Sequence, residues 1–253
     1  MTDPQGPRRD DRAPARSRAP RIARIGGIDV RVHWTFVVLL GFVVWAESAA
    51  GTVAEFMWMA WIAVVFGSVL VHELAHCLVA RRHGVVVEDI LLIPLGGISQ
   101  MEAIPEAARD EFAIAVVGPL TSFALAATVA AGAALFGVRP WPPALLAGSW
   151  ATRTVWLNVL LGAFNLIPAL PMDGGRVLRA ALALRTDRPT ATRLSTRVAR
   201  DIAVGMIVVG FLYDFWLVLI GLFVLLGATA EGQAVESGRP HADSRTPPSR
   251  GRR

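Results

Sequence analysis

The sequence predicts an all-α polytopic membrane protein of about six transmembrane helices, with a small membrane-associated β element. Three observations carry this expectation. Hydrophobic residues make up 54% of the 253-residue chain and charged residues only 18%, with a mean hydropathy of +0.49; a soluble domain runs at about 45–50% apolar with Gly included and about 25% charged. Apolar stretches recur at lengths near the roughly 17–25 residues that a helix needs to span hydrocarbon. The basic residues, all 25 of them Arg, stand in blocks between those stretches and do not line one face, so the high pI speaks for topology and not for nucleic acid. The complete preference for Arg over Lys reads as the codon usage of a GC-rich genome. Cys77 is the one cysteine, which excludes a disulfide framework and any multi-cysteine metal cluster.

Taken in order, residues 1–21 are Arg, Pro, Ala and Asp with few large apolar side chains and are expected to be a disordered basic tail. No apolar stretch follows within the first 30 residues, so no signal peptide is expected. Residues 22–32 alternate and are rich in Ile and Val, predicting a short strand at the membrane surface. Spans are predicted at 33–50, 54–80, 111–136 and 144–168, with Arg153 at an interfacial start. Two shorter spans, 198–213 and 215–230, are hinged at Tyr213–Asp214; a bent re-entrant pair would also fit them. Between the second and third spans, 85–93 and 96–101 read as two β segments. Residues 232–253 are Ser, Pro, Gly and Arg, a second disordered tail, which leaves 22–231 as the membrane domain.

Charge orients these spans. With the N-terminus in the cytoplasm, eight Arg up to Arg31, then Arg81, Arg82 and Arg109, seven from Arg176 to Arg200 and five from Arg239 to Arg253 all fall on one side. Only Arg139 and Arg153 remain for the other. Both termini are therefore expected in the cytoplasm, which requires an even number of spans.

Ionisable residues at membrane depth are costly and are functional suspects by default. The second span carries His72-Glu73-Leu74-Ala75-His76. Residues four apart share a helical face, so both imidazoles can reach one metal ion, while Glu73, rotated by about 100°, can reach a water beside that ion without ligating it. Two core histidines and a chance glutamate would be the plain alternative, but unpaired they would each cost about 2–3 kcal/mol at membrane depth. A hydrolytic zinc wants a third ligand and an open position. Cys77 points elsewhere and reads as a small apolar filler; His33 and His83 read as interfacial or loop residues. The better candidate lies in Asn165-Leu-Ile-Pro168-Ala-Leu-Pro171-Met-Asp173-Gly174-Gly175-Arg176. Two Pro and two Gly break the helix there, and irregular backbone at membrane depth survives only where it lines a protein cavity. Asp173 and Asn165 are thus expected to face inward. Depth agrees: Glu73 stands about 12 Å of helix before Arg81, and Asp173 three residues before Arg176, on the same side.

On these residues the chain resembles the site-2 protease family of intramembrane zinc metalloproteases. His72-Glu73-Leu74-Ala75-His76 is similar to the family's HExxH, and the segment from Asn165 to Arg176 to its Asn/Pro/Asp-Gly motif. Gly118-Pro119-Leu120 resembles its Gly-Pro helix-packing signature, Ile93-Pro-Leu-Gly96-Gly97 its β element beside the active site, and Val32-His33-Trp34 the start of a branch that carries CBS domains. The resemblance spans roughly residues 22–231 and implies one Zn2+ held by His72, His76 and Asp173. It makes Glu73 the general base and gives Asn165 the substrate carbonyl or oxyanion to steady. It also implies cleavage of peptide bonds within or near transmembrane segments of single-pass substrates, such as anti-sigma factors, membrane-tethered transcription factors or signal-peptide remnants, in the cytoplasmic membrane of a bacterium. Only about 22 residues follow the last span, so a core membrane domain without a CBS pair or PDZ domain is expected. A free edge in the β segments could accept an unwound substrate as an added strand. The competing readings are a metal-ion transporter or a non-proteolytic scaffold using the same His/Asp site.

Overall fold

In the computed structural model, residues 19–236 are described except 48–51, 95, 102–106, 142, 144, 146 and 147. Most of both expected tails lies outside the described residues. The chain begins with β1 (Arg21–Ile25) and β2 (Ile28–Val32), which pair antiparallel around Gly26-Gly27. The expected single strand is thus a hairpin: both glycines have positive φ, +58° and +81°, which is what a two-residue turn with the twist of its strands demands. Helices α1 (Trp34–Glu47) and α2 (Thr52–Arg82) then form the connection to β3 (Val87–Ile93), which lies parallel to β2 with Val30 opposite Ile90. β4 (Gly96–Met101) turns back antiparallel on β3, with Ser99 opposite Ile90, completing a sheet of order β1-β2-β3-β4. Both predicted β segments are present, and β4 is an edge strand.

The sheet is amphipathic, and its apolar face is what fastens it to the helices. Ile28, Val30, Val32, Ile90 and Leu92 are buried in one cluster with Cys77, packed against Leu70 and Leu74 of α2 and Phe36 of α1. Cys77 is fully buried, the filler expected of it. On the sheet's other residues Arg31 Nε lies 2.8 Å from Asp89 Oδ2.

The rest is helical: α3 (Ala108–Leu135), α4 (Trp150–Asn165), α5 (Asp173–Ala183), α6 (Arg188–Tyr213) and α7 (Phe215–Glu236). Ser149 caps α4 by accepting from Thr152 N–H, and Asp187 caps α6 by accepting from Thr190 N–H. α6 and α7 pack against each other across Asp214, the predicted hinge, whose carboxylate accepts the Trp216 N–H. Among the described residues three helices are long and apolar enough to cross a membrane, within α2, α3 and α7, and α1 is a shorter apolar helix. The six-span count is not reached by that measure, because α4 has only 16 residues and the first half of α6 is rich in Arg. The Pro- and Gly-rich break after α4 is more than a helix end: Asp173 opens a further amphipathic helix of 11 residues, which the sequence pattern does not separate. Bulky apolar side chains face outward on many helices, among them Phe42, Trp45, Phe211, Leu212, Trp216 and Leu226. Such a surface suits hydrocarbon and not water.

Two polar devices lock the bundle. Asn158 of α4, fully buried, donates from Nδ2 to Ser68 Oγ of α2 at 3.1 Å. Glu111 at the start of α3, 1% exposed, receives Arg179 of α5 at 2.8 Å (Nε) and 2.6 Å (Nη2), and Arg188 of α6 at 3.1 Å. Arg179, 3% exposed, also reaches Glu231 of α7 at 3.2 Å. One buried ionic cluster thereby ties four helices together.

Candidate metal centre

His72 and His76 lie one helical turn apart on α2 and are both buried. Facing them is α3, where Ile114, Gly118 and Ser122 succeed one another at intervals of four on a single face. The His76 Nδ1 proton is donated to the Ile114 carbonyl at 2.6 Å, and His72 Nδ1 is 3.0 Å from Ser122 Oγ. Each ring is thus held by its Nδ1 and turns its Nε2 inward, the arrangement that orients metal-ligating histidines, and for His76 the acceptor-only carbonyl also fixes the tautomer. Gly118 makes the approach possible: a Cβ there would lie 2.1 Å from His76 Nε2 and 2.8 Å from His72 Nε2.

Asp173 is the first residue of α5 and is buried. Its position follows from close backbone packing of the two glycines after it. A Cβ on Gly174 would fall 2.3 Å from the carbonyl oxygens of Leu166 and Ile167, and one on Gly175 2.4 Å from Leu170 N. The preceding loop is clamped in turn, since Ala169, Leu170 and Met172 are buried against Ala199 and Ala203 of α6 and Val224 and Ala228 of α7. A Cβ on Gly227 would meet the Pro171 ring at 2.5 Å. Asp173 Oδ2 consequently stands 3.1 Å from both His72 Nε2 and His76 Nε2, which are 3.2 Å from each other.

The donor set fits a metal ion. The Ile114 carbonyl only accepts, so His76 carries its proton on Nδ1 and, when neutral, presents a bare lone pair at Nε2. That lone pair meets a carboxylate oxygen, also an acceptor, and a second imidazole nitrogen, a crowding of three donor atoms that a shared cation reconciles. Ligand atoms about 2.05 Å from a tetrahedral zinc would stand about 3.3 Å apart, close to the spacings here. Among the described residues His72, His76 and Asp173 form the one His/Cys/Asp/Glu group of this kind.

Glu73, half-buried, sits beside this cluster. Its Oε2 accepts a hydrogen bond from Ser99 Oγ of β4. β4 crosses α2 so closely that a Cβ on Gly97 would lie 2.6 Å from Glu73 Cγ. Asn165, the last residue of α4, is half-buried; its Nδ2 donates to the Leu161 carbonyl of its own helix at 2.9 Å, so it stands outside the hydrogen-bonded cluster. His33 bonds Thr35 at 2.8 Å and His83 pairs with Asp110 at 3.0 Å, both away from the centre as expected. The sequence reading missed Ser122 and the Ile114 carbonyl. Ser122 follows Gly118 by four, a small-xxx-small pairing that marks close helix approach and could have singled it out.

Comparison with known proteins gives the chain's family. The sequence profile described as Peptidase family M50 matches residues 60–153 and 147–212. A zinc metalloprotease of Methanocaldococcus jannaschii is 35% identical over 217 residues, 85% of this chain and 61% of the relative. The Rip3 protein of Mycobacterium tuberculosis, whose name also describes a zinc metalloprotease, is 38% identical over 230 residues, 83% of this chain and 58% of the relative. The chain thus spans about three fifths of the length of these curated relatives. The solved structure of the site-2 protease from Methanocaldococcus jannaschii superposes with a TM-score of 0.60 at 33% identity, covering 85% of this chain and 95% of that one. With an HExxH helix, a downstream aspartate brought onto its two histidines and a fold shared with that protease, this membrane protein belongs to peptidase family M50, the site-2 proteases.

Proposed function

We propose that the chain is an intramembrane zinc metalloprotease that hydrolyses peptide bonds within or near transmembrane segments of membrane-anchored proteins. The observation that carries this is the convergence of His72 Nε2, His76 Nε2 and Asp173 Oδ2 within 3.1–3.2 Å of one another, with Glu73 held alongside on the same helix. These three residues would hold one zinc per chain and leave one position open. Bound zinc would supply Lewis acidity, making water nucleophilic near neutral pH and polarising the scissile carbonyl. His72 and His76 keep their Nε2 atoms aimed inward through Ser122 and Ile114, so the site needs little rearrangement. Glu73 takes the proton from the attacking water and returns it to the leaving amine. Asn165, at the end of α4, would steady the substrate carbonyl after its side chain leaves the Leu161 carbonyl.

A helical substrate buries its carbonyls in its own hydrogen bonds, so it must unwind first, and in lipid its freed peptide groups need protein partners. The outer edge of β4, beside Glu73 and paired with no other strand among the described residues, would offer them by strand addition. Single-pass proteins such as anti-sigma factors, tethered transcription factors or signal-peptide remnants are substrates of suitable form. The Arg distribution supports a cytoplasmic membrane with both termini in the cytoplasm. A transporter would want ligands repeated along a path, whereas the described residues offer one group at one depth.

Purified protein reconstituted with zinc and a single-pass reporter substrate tests the reading. Glu73→Gln should keep the zinc while cleavage drops to background, and Asp173→Ala should lose both. Cleavage persisting in Glu73→Gln, or none by the unmutated chain against a panel of single-pass proteins, would reject it.

A further inference from the structure

We infer that Ser99 is the positioning residue for the Glu73 carboxylate, so that β4 aligns the base as well as offering an edge to substrate. The inference rests on the protease reading above. Residues two apart on a strand share a face, and Gly97 and Ser99, two such residues of β4, are both fitted to Glu73. Gly97 leaves room for the glutamate stem, with a would-be Cβ 2.6 Å from Glu73 Cγ, 3.3 Å from Glu73 Cδ and 3.4 Å from Val69 Cγ1. Ser99 supplies a hydroxyl to Glu73 Oε2.

The direction of that bond is fixed by chemistry. An ionised carboxylate only accepts, so the Ser99 proton must point at Glu73. Cys77, one turn beyond Glu73 on α2, donates its S–H to Ser99 Oγ at 3.5 Å and so uses the lone-pair side of the same hydroxyl. The chain of donation runs from Cys77 to Ser99 to Glu73. It occupies Oε2 and assigns Oε1 to proton transfer. Glutamate has three rotatable side-chain bonds, and among the described residues Ser99 is the one hydrogen-bond donor to its carboxylate. A general base must reach its proton at roughly 2.6–3.2 Å, and a misplacement of about 1 Å costs about 100-fold in rate. Anchoring one oxygen converts a mobile carboxylate into a placed one.

The test uses the full chain, zinc-loaded, in lipid vesicles with a single-pass reporter, read both by cleavage and by infrared difference spectroscopy of the Glu73 carboxylate, its band assigned with Glu73→Gln. Ser99→Ala should lower kcat about 10- to 100-fold, with KM and zinc content unchanged, and should shift the carboxylate band. Ser99→Thr keeps the hydroxyl and should restore most of kcat and the band. A packing role would instead make the larger Thr worse than Ala. Wild-type kcat in Ser99→Ala, an unmoved band, or no rescue by Thr would overturn the inference. The spectrum decides the matter even if the unmutated chain proves inactive, the outcome that would reject the protease reading.

Discussion

Gly118→Ala adds one methyl group, and the structure says where it lands. The Cβ would stand 2.1 Å from His76 Nε2 and 2.8 Å from His72 Nε2, and a zinc–imidazole bond is itself about 2.0–2.1 Å long. The methyl would therefore compete for the ion's own position. Carbon and nitrogen in ordinary contact are separated by about 3.5 Å, so α3 would have to retreat by more than an ångström. It cannot do so freely, because the same helix holds the two rings through Ile114 and Ser122. Retreat would break both bonds, and loss of even one such outer partner costs about 10- to 100-fold in metal affinity. With both lost and the seat obstructed, affinity should fall by at least about 1,000-fold, or about 4 kcal/mol. Zinc per chain, measured by elemental analysis after dialysis against a buffered free-zinc series, should drop to background along with reporter cleavage. Normal zinc content and normal cleavage in a folded Gly118→Ala protein would refute the placement of α3 against the histidines.

Ser122→Ala removes a single partner and should be milder, weakening zinc binding about 10- to 100-fold in the same titration; no change would mean that His72 is oriented by something else. Glu111→Gln leaves Arg179, 3% exposed, without its main counter-charge and should destabilise the fold by about 3–5 kcal/mol in denaturant unfolding. Glu231→Gln, at the half-exposed end of the cluster, should cost under about 1 kcal/mol, and equal effects would contradict the burial order. Prolines scanned along β4 should slow cleavage at alternate positions, those whose N–H faces the open edge, while zinc content holds; a flat profile would rule out strand addition.

Much of the centre could be read from the letters because helical periodicity is a local property. His72 and His76 at a spacing of four had to share a face, and the Pro and Gly around Asp173 announced irregular backbone at a depth the Arg blocks could locate. The structure then brought Asp173 onto histidines 97 and 101 residues away. What the letters do not carry is tertiary. The Ile114 carbonyl is a backbone atom with no letter of its own, and Asn165 looked inward by motif while its side chain turned to its own helix. Arg179 was counted among the topological charges, yet it is buried on Glu111, because charge counting assigns a side of the membrane and says nothing about partners. The parallel pairing of β2 with β3 joins strands separated by two whole helices, beyond the reach of any alternating pattern. α5 was merged into a helix end because its first turn reads Asp-Gly-Gly, residues of poor helix propensity, and only the loop packed beneath those glycines makes the turn helical.

Asp173 and the histidines come from opposite halves of the chain, so an ion seated among them is a cross-link between α2 and α5. Ligand binding to the folded state alone stabilises it by about 2.7 kcal/mol when the free ligand stands 100-fold above its dissociation constant. The melting temperature of this protein is therefore expected to track the free zinc concentration, even in a variant such as Glu73→Gln. A chelator would therefore lower the melting temperature as well as empty the site, while the packing of Ala169, Leu170 and Met172 against α6 and α7 keeps the loop before α5 in place.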